Sequence, residues 1–373
     1  MYPSRFVSLF IAAAAACVVS AAQPCFAQTP QGGSAPPAGS SLLNPNTSVI
    51  GWFQGEAGDR TKQVGAEAFQ LKEAEVGFQA AVDPYSRADF FMSVNAEGID
   101  LEEGYLTLLT LPAGLSAKLG KFRTNFGKFN RTHPPETPFA DRPLAAERFL
   151  GEEGLSGTGA SVAWLVQNPL GVYANIDAEV TTTPPAGEVP AFDSYRGRDL
   201  LYVGRASSFV DFSESSNLAI GLSYANGANG ADSTNPGTGP HKLRAQLYGA
   251  DVTFRWKNPR RAIYRSLLVQ MELMERSAAP LAGPATVSGG AFAYADYQFA
   301  RRWHVGARYD WSERVAQAGN HATGGLGFLT FTPSEFSLMS LQASRHDLEG
   351  GQTETRYFLK TTFNIGPHGA HPF

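Results

Sequence analysis

The segment "KLGKFRTNFGKFNRTH", residues 118–133, holds the densest group of side chains in the chain that could do chemistry. Lys121, Arg123, Lys128, Arg131 and His133 put several cations and an imidazole in one short stretch. No nucleophile or paired general base accompanies them. A cluster of this kind creates a field, and charge around a narrow passage selects ions by sign and size. Arg142 and Arg148 follow, interleaved with Glu136, Asp141 and Glu147, so the segment carries both signs. The competing reading is a solvated surface loop.

Other candidate chemistry fails on spacing. "GLSAKLGKF" has one residue too many between Gly114 and Gly120 for a phosphate-binding loop, and Phe122 stands where a hydroxyl is needed. Gly154-Leu155-Ser156 is not completed as a nucleophile elbow, because Thr158 occupies the last glycine's place. No catalytic residues are therefore assigned. His368 and His371 form the one closely spaced histidine pair, with no carboxylate or cysteine beside them. They are read as part of a tail around an assembly signal, either the terminal Phe373 or the strand from Tyr357 to Phe363, and no metal site or cofactor is expected.

The elements that must position the basic segment are strands. In "RRWHVGARYDWSER", residues 301–314, Trp303, Val305, Ala307, Tyr309 and Trp311 alternate with His304, Gly306, Arg308, Asp310 and Ser312. A period of two gives one apolar and one polar face. The same alternation recurs around Glu73–Val82, Arg87–Asn95, Val172–Thr181, Ala250–Trp256 and Arg356–Ile365, and about sixteen such strands can be counted. Short turns fall near residues 83–85, 111–114, 167–171, 213–216, 257–261, 300–302 and 333–335. Longer connections fall at 56–67, 127–157, 182–198, 226–241, 276–289, 313–322 and 347–353, and only the one at 96–99 is tight. Sorting of short and long connections to opposite ends marks an all-β, transmembrane, antiparallel up-and-down barrel. Its turns would be periplasmic and its long loops external. Closure is required, because a free strand edge in hydrocarbon leaves backbone groups unpaired.

On this parity the apolar face meets lipid. Trp164, Trp256 and Trp303, each near a short turn, form a membrane girdle. The polar face meets a lumen lined by Arg87, Asp89, Asp177, Glu179, Asp251, Arg255, Glu272, Asp296, Arg308, Asp310, Arg356 and Lys360. Lys118, Arg205, Glu73 and Glu75 share that parity. An arginine at Val305 or Ala307 should then harm assembly, whereas one at Gly306 should be tolerated. About sixteen strands enclose a lumen too wide for side chains alone to fill, which favours a channel over a purely structural or adhesive barrel.

Residues 1–27 read as a signal peptide: Arg5, the apolar run Phe6–Ala16, and a small residue at Ala27. Both cysteines, Cys17 and Cys25, lie within it, which excludes disulfides and thiolate metal sites from the rest. Residues 28–46 are Pro-, Gly- and Ser-rich and read as a disordered lead-in, leaving 47–373 as the barrel. That lead-in is too short for a plug domain, so energy-coupled uptake is not expected. Of the 30 Lys and Arg one lies in the leader, and none of the 34 Asp and Glu does, so the balance is acidic and nucleic acid is no partner.

"KLGKFRTNFGKFN", with Gly120-Lys121-Phe122 and Phe126-Gly127, resembles the phosphate-selective-porin-like family of Gram-negative outer-membrane channels. "NTSVIGWFQG", "DPYSRADFF", "LPAGLSAKLGKF" and "GPHGAHPF" resemble the same group in the same order. The resemblance implies a sixteen-stranded porin in the outer membrane, a homotrimer that passes small hydrophilic solutes or ions passively. Its partners would be outer-membrane lipid and the barrel-assembly machinery. It also implies that the long third external loop folds inward and narrows the pore. The arginine ladder of the phosphate-selective members is not matched, since the lumen residues mix both signs.

Overall fold

The computed structural model describes residues 45–62, 66–96, 98–168, 172–185, 187–194, 198–230, 243–259, 264–278, 285–315 and 317–366. The leader, almost all of the lead-in, and His368, His371 and Phe373 lie outside them. Sixteen strands follow in order: β1 (Asn46–Gly58), β2 (Phe69–Asp83), β3 (Ser86–Asn95), β4 (Gly98–Leu111), β5 (Leu115–Arg123), β6 (Ser156–Leu165), β7 (Tyr173–Thr182) and β8 (Leu200–Ser213) come first. Then come β9 (Ser216–Ala228), β10 (Arg244–Lys257), β11 (Ser266–Ala278), β12 (Thr286–Ala300), β13 (Trp303–Arg314), β14 (Gln317–Ser334), β15 (Ser337–Asp347) and β16 (Thr353–Ile365). Each pairs antiparallel with its sequence neighbours, and β1 closes the barrel on β16 from Val49↔Ile365 to Gly58↔Arg356. A short helix, α1 (Leu144–Leu150), lies in the connection between β5 and β6.

Alternation decides which side each residue faces. On β13, Val305 is 45 % exposed and Tyr309 58 %, while Asp310 is fully buried and Arg308 nearly so. The exposed positions form an outer apolar surface, because they have no protein to pack against. Trp164 and Trp303 face outward at the short-turn end, Trp303 against Phe331 with ring centroids 4.8 Å apart, and Trp256 stands at the same end of β10. Tyr173 and Phe209 stack beside them at 4.7 Å. A second aromatic row, missed in the sequence, includes the outward Tyr202, Tyr224, Tyr309 and Tyr357 toward the other end. The apolar belt thus has amphipathic rings at both rims, as a barrel spanning lipid requires.

Three expectations change. The 313–322 connection is not a long loop: β13 runs to Arg314 and β14 begins at Gln317, a tight turn like that between Asn95 and Gly98. Strand β1 begins at Asn46, one residue inside the expected lead-in. Gly306 does face inward, but a Cβ there would lie 2.1 Å from the Phe328 ring and 2.4 Å from the Ala295 carbonyl oxygen. Inward parity therefore does not make Gly306 tolerant of arginine, because its glycine makes room for a packed aromatic.

The barrel's core sits inside the lumen. Phe126, Phe129, Phe139, Phe149 and Leu150 of the 124–155 segment pack on inward residues of the wall, among them Leu247, Phe292, Tyr294, Leu326 and Phe328. Phe139 meets Tyr294 edge-on at 4.9 Å and Phe328 at 6.0 Å. Burying each such side chain contributes on the order of 2–3 kcal/mol toward holding the segment inside.

Candidate functional site

The 124–155 segment crosses the lumen and bonds to the wall on many sides. Asn125 N–H donates to Glu179 on β7 (2.9 Å), and Gly127 N–H to Ser223 on β9 (3.0 Å). Lys128 and Phe129 N–H both donate to Glu272 Oε1 on β11, at 2.9 and 2.6 Å. Gly127 has a left-handed backbone (φ 65°), and a Cβ there would stand 2.7 Å from Glu272 Oε2, so glycine permits both the turn and the approach. Further on, Ala140 N–H donates to Gln342 on β15 (2.9 Å), and Arg308 on β13 bonds Asp141 (2.9 Å). Lys360 on β16 donates to the Pro134, Thr137 and Phe139 carbonyls at 3.2, 2.6 and 3.0 Å, with its ammonium 4.6 Å from the Trp52 ring. Arg148 on α1 bonds Glu349, beyond β15, at 2.6 Å.

Many residues expected to line the lumen face inward yet are engaged there. Asp177 and Glu179 are buried, Glu272 and Lys360 hold the crossing segment, and Arg308 bridges Asp310 and Asp141. Arg205 pairs with Asp251 at 2.6 Å, and Arg356 with Glu56 at 2.8 Å. Asp296 meets His304 at 3.1 Å, and Arg87 bonds Asp89 at 2.8 Å while staying largely open. Arg255 is half-buried and acts on Lys128 through charge. Part of the wall is thus charge-compensated in pairs.

The five basic residues proposed for the constriction divide. Lys121 leaves the group: it shares the outward parity of Leu119, and its Nζ reaches the Leu101 carbonyl (2.5 Å) and, at 3.8 Å, Asp100 at the rim. Arg123 is buried and tied to Glu102 (2.8 Å) and to the Glu153 carbonyl. Lys128 is half-buried, its Nζ on Thr253 (2.9 Å); burial first, then Arg255, lowers its pKa to about 8. Arg131 is exposed, and among the described residues no carboxylate lies within 4.0 Å of it. Its charge is felt by Lys118 and Tyr105. Lys118 itself lies 4.1 Å over the Tyr105 ring.

His133 is fully buried. Its Nδ1 lies 2.9 Å from Glu75 Oε2 and 2.8 Å from Glu102 Oε2, and its Nε2 lies 2.7 Å from Glu103 Oε1. Burial and Arg123 oppose its protonated form, but the hydrogen bonds of Glu102, Glu103 and Glu75 outweigh them and raise its pKa well above the ordinary value. Glu102 and Glu103 had no place in the parity reading. The ladder passes from Phe91↔Glu103 to Met92↔Leu101, so Glu102 is the extra residue of a bulge and joins Glu103 on the inner side.

No family model matches the chain. Solved barrels are similar to it in fold: OprB of Pseudomonas putida (TM-score 0.59, 10% identity, covering 86% of this chain and 94% of that one). An anion-selective porin from Comamonas acidovorans superposes with TM-score 0.54 at 11% identity, over 86% of this chain and 97% of that one. The architecture is that of Gram-negative outer-membrane porins, and the aromatic-rimmed apolar belt places this barrel in such a membrane. A protein of Aquifex aeolicus (strain VF5), described as uncharacterized, is 30% identical in an alignment 338 positions long that covers 82% of this chain and 70% of that relative. By that identity and coverage the chain belongs to one family with the Aquifex aeolicus protein.

Proposed function

We propose that the protein is a passive outer-membrane porin for small charged solutes, with the 124–155 segment as its constriction. The observation that carries this reading is Arg131: an exposed cation on a segment that crosses the lumen, where the neighbouring charges are paired. Lys118, over the Tyr105 ring, extends a basic track along the inner wall nearby. Low-dielectric walls focus such a field, so the track favours small anions, without the arginine ladder that phosphate selectivity would need. The reading assigns no catalytic step. Resemblance to the phosphate-selective-porin-like channels supports a homotrimer. The test is conductance of the purified protein in a planar bilayer, with reversal potentials in a salt gradient. Arg131→Gln should lower anion relative to cation permeability, and Arg123→Gln should change it less, since Glu102 already neutralises Arg123. An unchanged ion preference in Arg131→Gln removes Arg131 from selectivity.

A second reading draws on the apolar cluster inside the barrel. A lumen packed with phenylalanines suits a non-transport barrel that acts as an adhesin or structural protein. Absence of any conductance step from correctly folded protein would favour it.

A further inference from the structure

We infer that Glu75, Glu102 and His133 form a binding site for a divalent transition-metal ion, which fastens the lumen-crossing segment to the wall between β2 and β4. The inference concerns how the segment is held and stands whether or not the barrel conducts. Three donor atoms converge: Nδ1 of His133 and one carboxylate oxygen each from Glu75 and Glu102, all within 4.8 Å of one another. In a tetrahedral sphere metal bonds of about 2.1 Å put ligand atoms about 3.4 Å apart; in an octahedral sphere they put neighbouring ones about 3.0 Å and opposite ones about 4.2 Å apart. The Nδ1 separations of 2.9 and 2.8 Å match neighbouring edges of such a sphere.

The far side of the ring points the same way. Glu103 Oε1 lies 2.7 Å from Nε2, so when a metal displaces the Nδ1 proton, the proton kept on Nε2 leaves the Nδ1 lone pair facing Glu75 and Glu102. A carboxylate behind a ligating histidine, fixing its tautomer and raising its basicity, is the usual outer-sphere partner of a metal-bound imidazole. A single Nδ1–H, by contrast, can be directed at only one of the two oxygens.

Charge supplies an independent argument. Glu73, Glu75, Glu102 and Glu103 bring four buried carboxyl groups to this part of the wall, with Arg123 as the guanidinium on Glu102. Glu73 is 6 % exposed, and its Oε1 has no hydrogen-bond partner. An unsatisfied buried carboxylate oxygen beside converging ligands is a ready further donor to a cation. One imidazole with two or three carboxylates is a donor set for Zn²⁺ or Mn²⁺, and unlike an all-oxygen cage it discriminates against Ca²⁺.

The test uses Zn²⁺ and the full-length protein extracted from membranes in detergent, stripped with chelator and dialysed against trace metal. The expected result is one Zn²⁺ retained per chain, with Ca²⁺ in excess failing to displace it. Glu75→Gln and His133→Gln should each weaken binding at least tenfold, and Glu103→Gln by about tenfold through the ring's orientation. A His368→Ala/His371→Ala variant should bind as the parent does, which separates this site from the terminal pair. Heat-modified migration on gels reports whether each variant folds. Should His133→Gln fail to fold, ¹⁵N-histidine spectra of the parent decide: Zn²⁺ must shift the Nδ1 resonance of one buried histidine. No stoichiometric uptake, uptake that survives His133→Gln in folded protein, or uptake lost only with the terminal pair would each overturn the assignment. An imidazolium caged by carboxylates would then be the whole role of the cluster.

Discussion

Replacing Glu272 with leucine tests whether the crossing segment is held by the wall or merely lies against it. Glu272 Oε1 accepts the N–H groups of Lys128 and Phe129, at 2.9 and 2.6 Å, in the place where Gly127 turns the chain. Leucine keeps the bulk but leaves two backbone donors unsatisfied, at about 1–3 kcal/mol each. The anchor should therefore lose about 2–6 kcal/mol, and at 1.4 kcal/mol per decade local opening becomes at least ~20-fold more frequent. Glu272→Gln separates the acceptor from the charge, because its amide oxygen can still take both N–H groups. Hydrogen exchange of the amides at 127–130 is the direct assay, with single-channel noise as the functional one. Exchange should rise by tenfold or more in Glu272→Leu, its conductance should flicker, and Glu272→Gln should stay near the parent. Unchanged protection in Glu272→Leu would refute the anchor, and equal damage in Glu272→Gln would show that charge, not hydrogen bonding, holds the turn.

Two further outcomes follow from the geometry. Ala307→Arg puts a charge on the lipid face several residues above Trp303, and should cost roughly 2–4 kcal/mol in detergent-to-bilayer folding titrations. Val305→Arg, nearer the Trp303 rim, should cost less, and inward His304→Arg least; equal penalties would refute the assigned faces. Ion preference should also change between pH 7 and pH 9.5. Lys128, its pKa lowered to about 8 by burial and then Arg255, is charged below that pH and neutral above it, while Asp251 and Glu272 pull the value up and Arg205 pushes it down. Anion preference should therefore fall as pH rises, and Lys128→Met should flatten the profile between those values; a profile unchanged in that variant rules out Lys128 as its source.

What could be read beforehand is what a two-residue period encodes. Val305 and Tyr309 outside, Arg308 and Asp310 inside, and the order of turns all follow from local alternation. Glu102 shows where that reasoning stops: a bulge adds a residue to one strand and shifts parity, and nothing in "DLEEGY" marks which glutamate is the extra one. The partners of the basic segment were hidden for another reason. Arg123 looked like a free cation because Glu102 comes from a different strand, and Arg308 looked like lumen lining because Asp141 reaches it across the barrel. Pairings of that kind depend on how the segment crosses the closed cylinder, which no local pattern carries. The basic composition of 118–133 did direct attention to the segment that crosses the lumen, but which of its charges stay exposed was decided by the acids around them.

The fastening of the crossing segment also dictates an order of events during biogenesis. Several of its grips come from strands made long after it: Arg308, Gln342 and Lys360 lie 167, 202 and up to 226 residues downstream of their partners. Until β16 meets β1, the carbonyls of Pro134, Thr137 and Phe139 lack the ammonium that satisfies them. Contacts of such long sequence separation form late, because loop-closure entropy must be met first. The nascent sheet must therefore carry an unfastened, phenylalanine-rich strap on its concave side, and seam closure and strap docking become one coupled step.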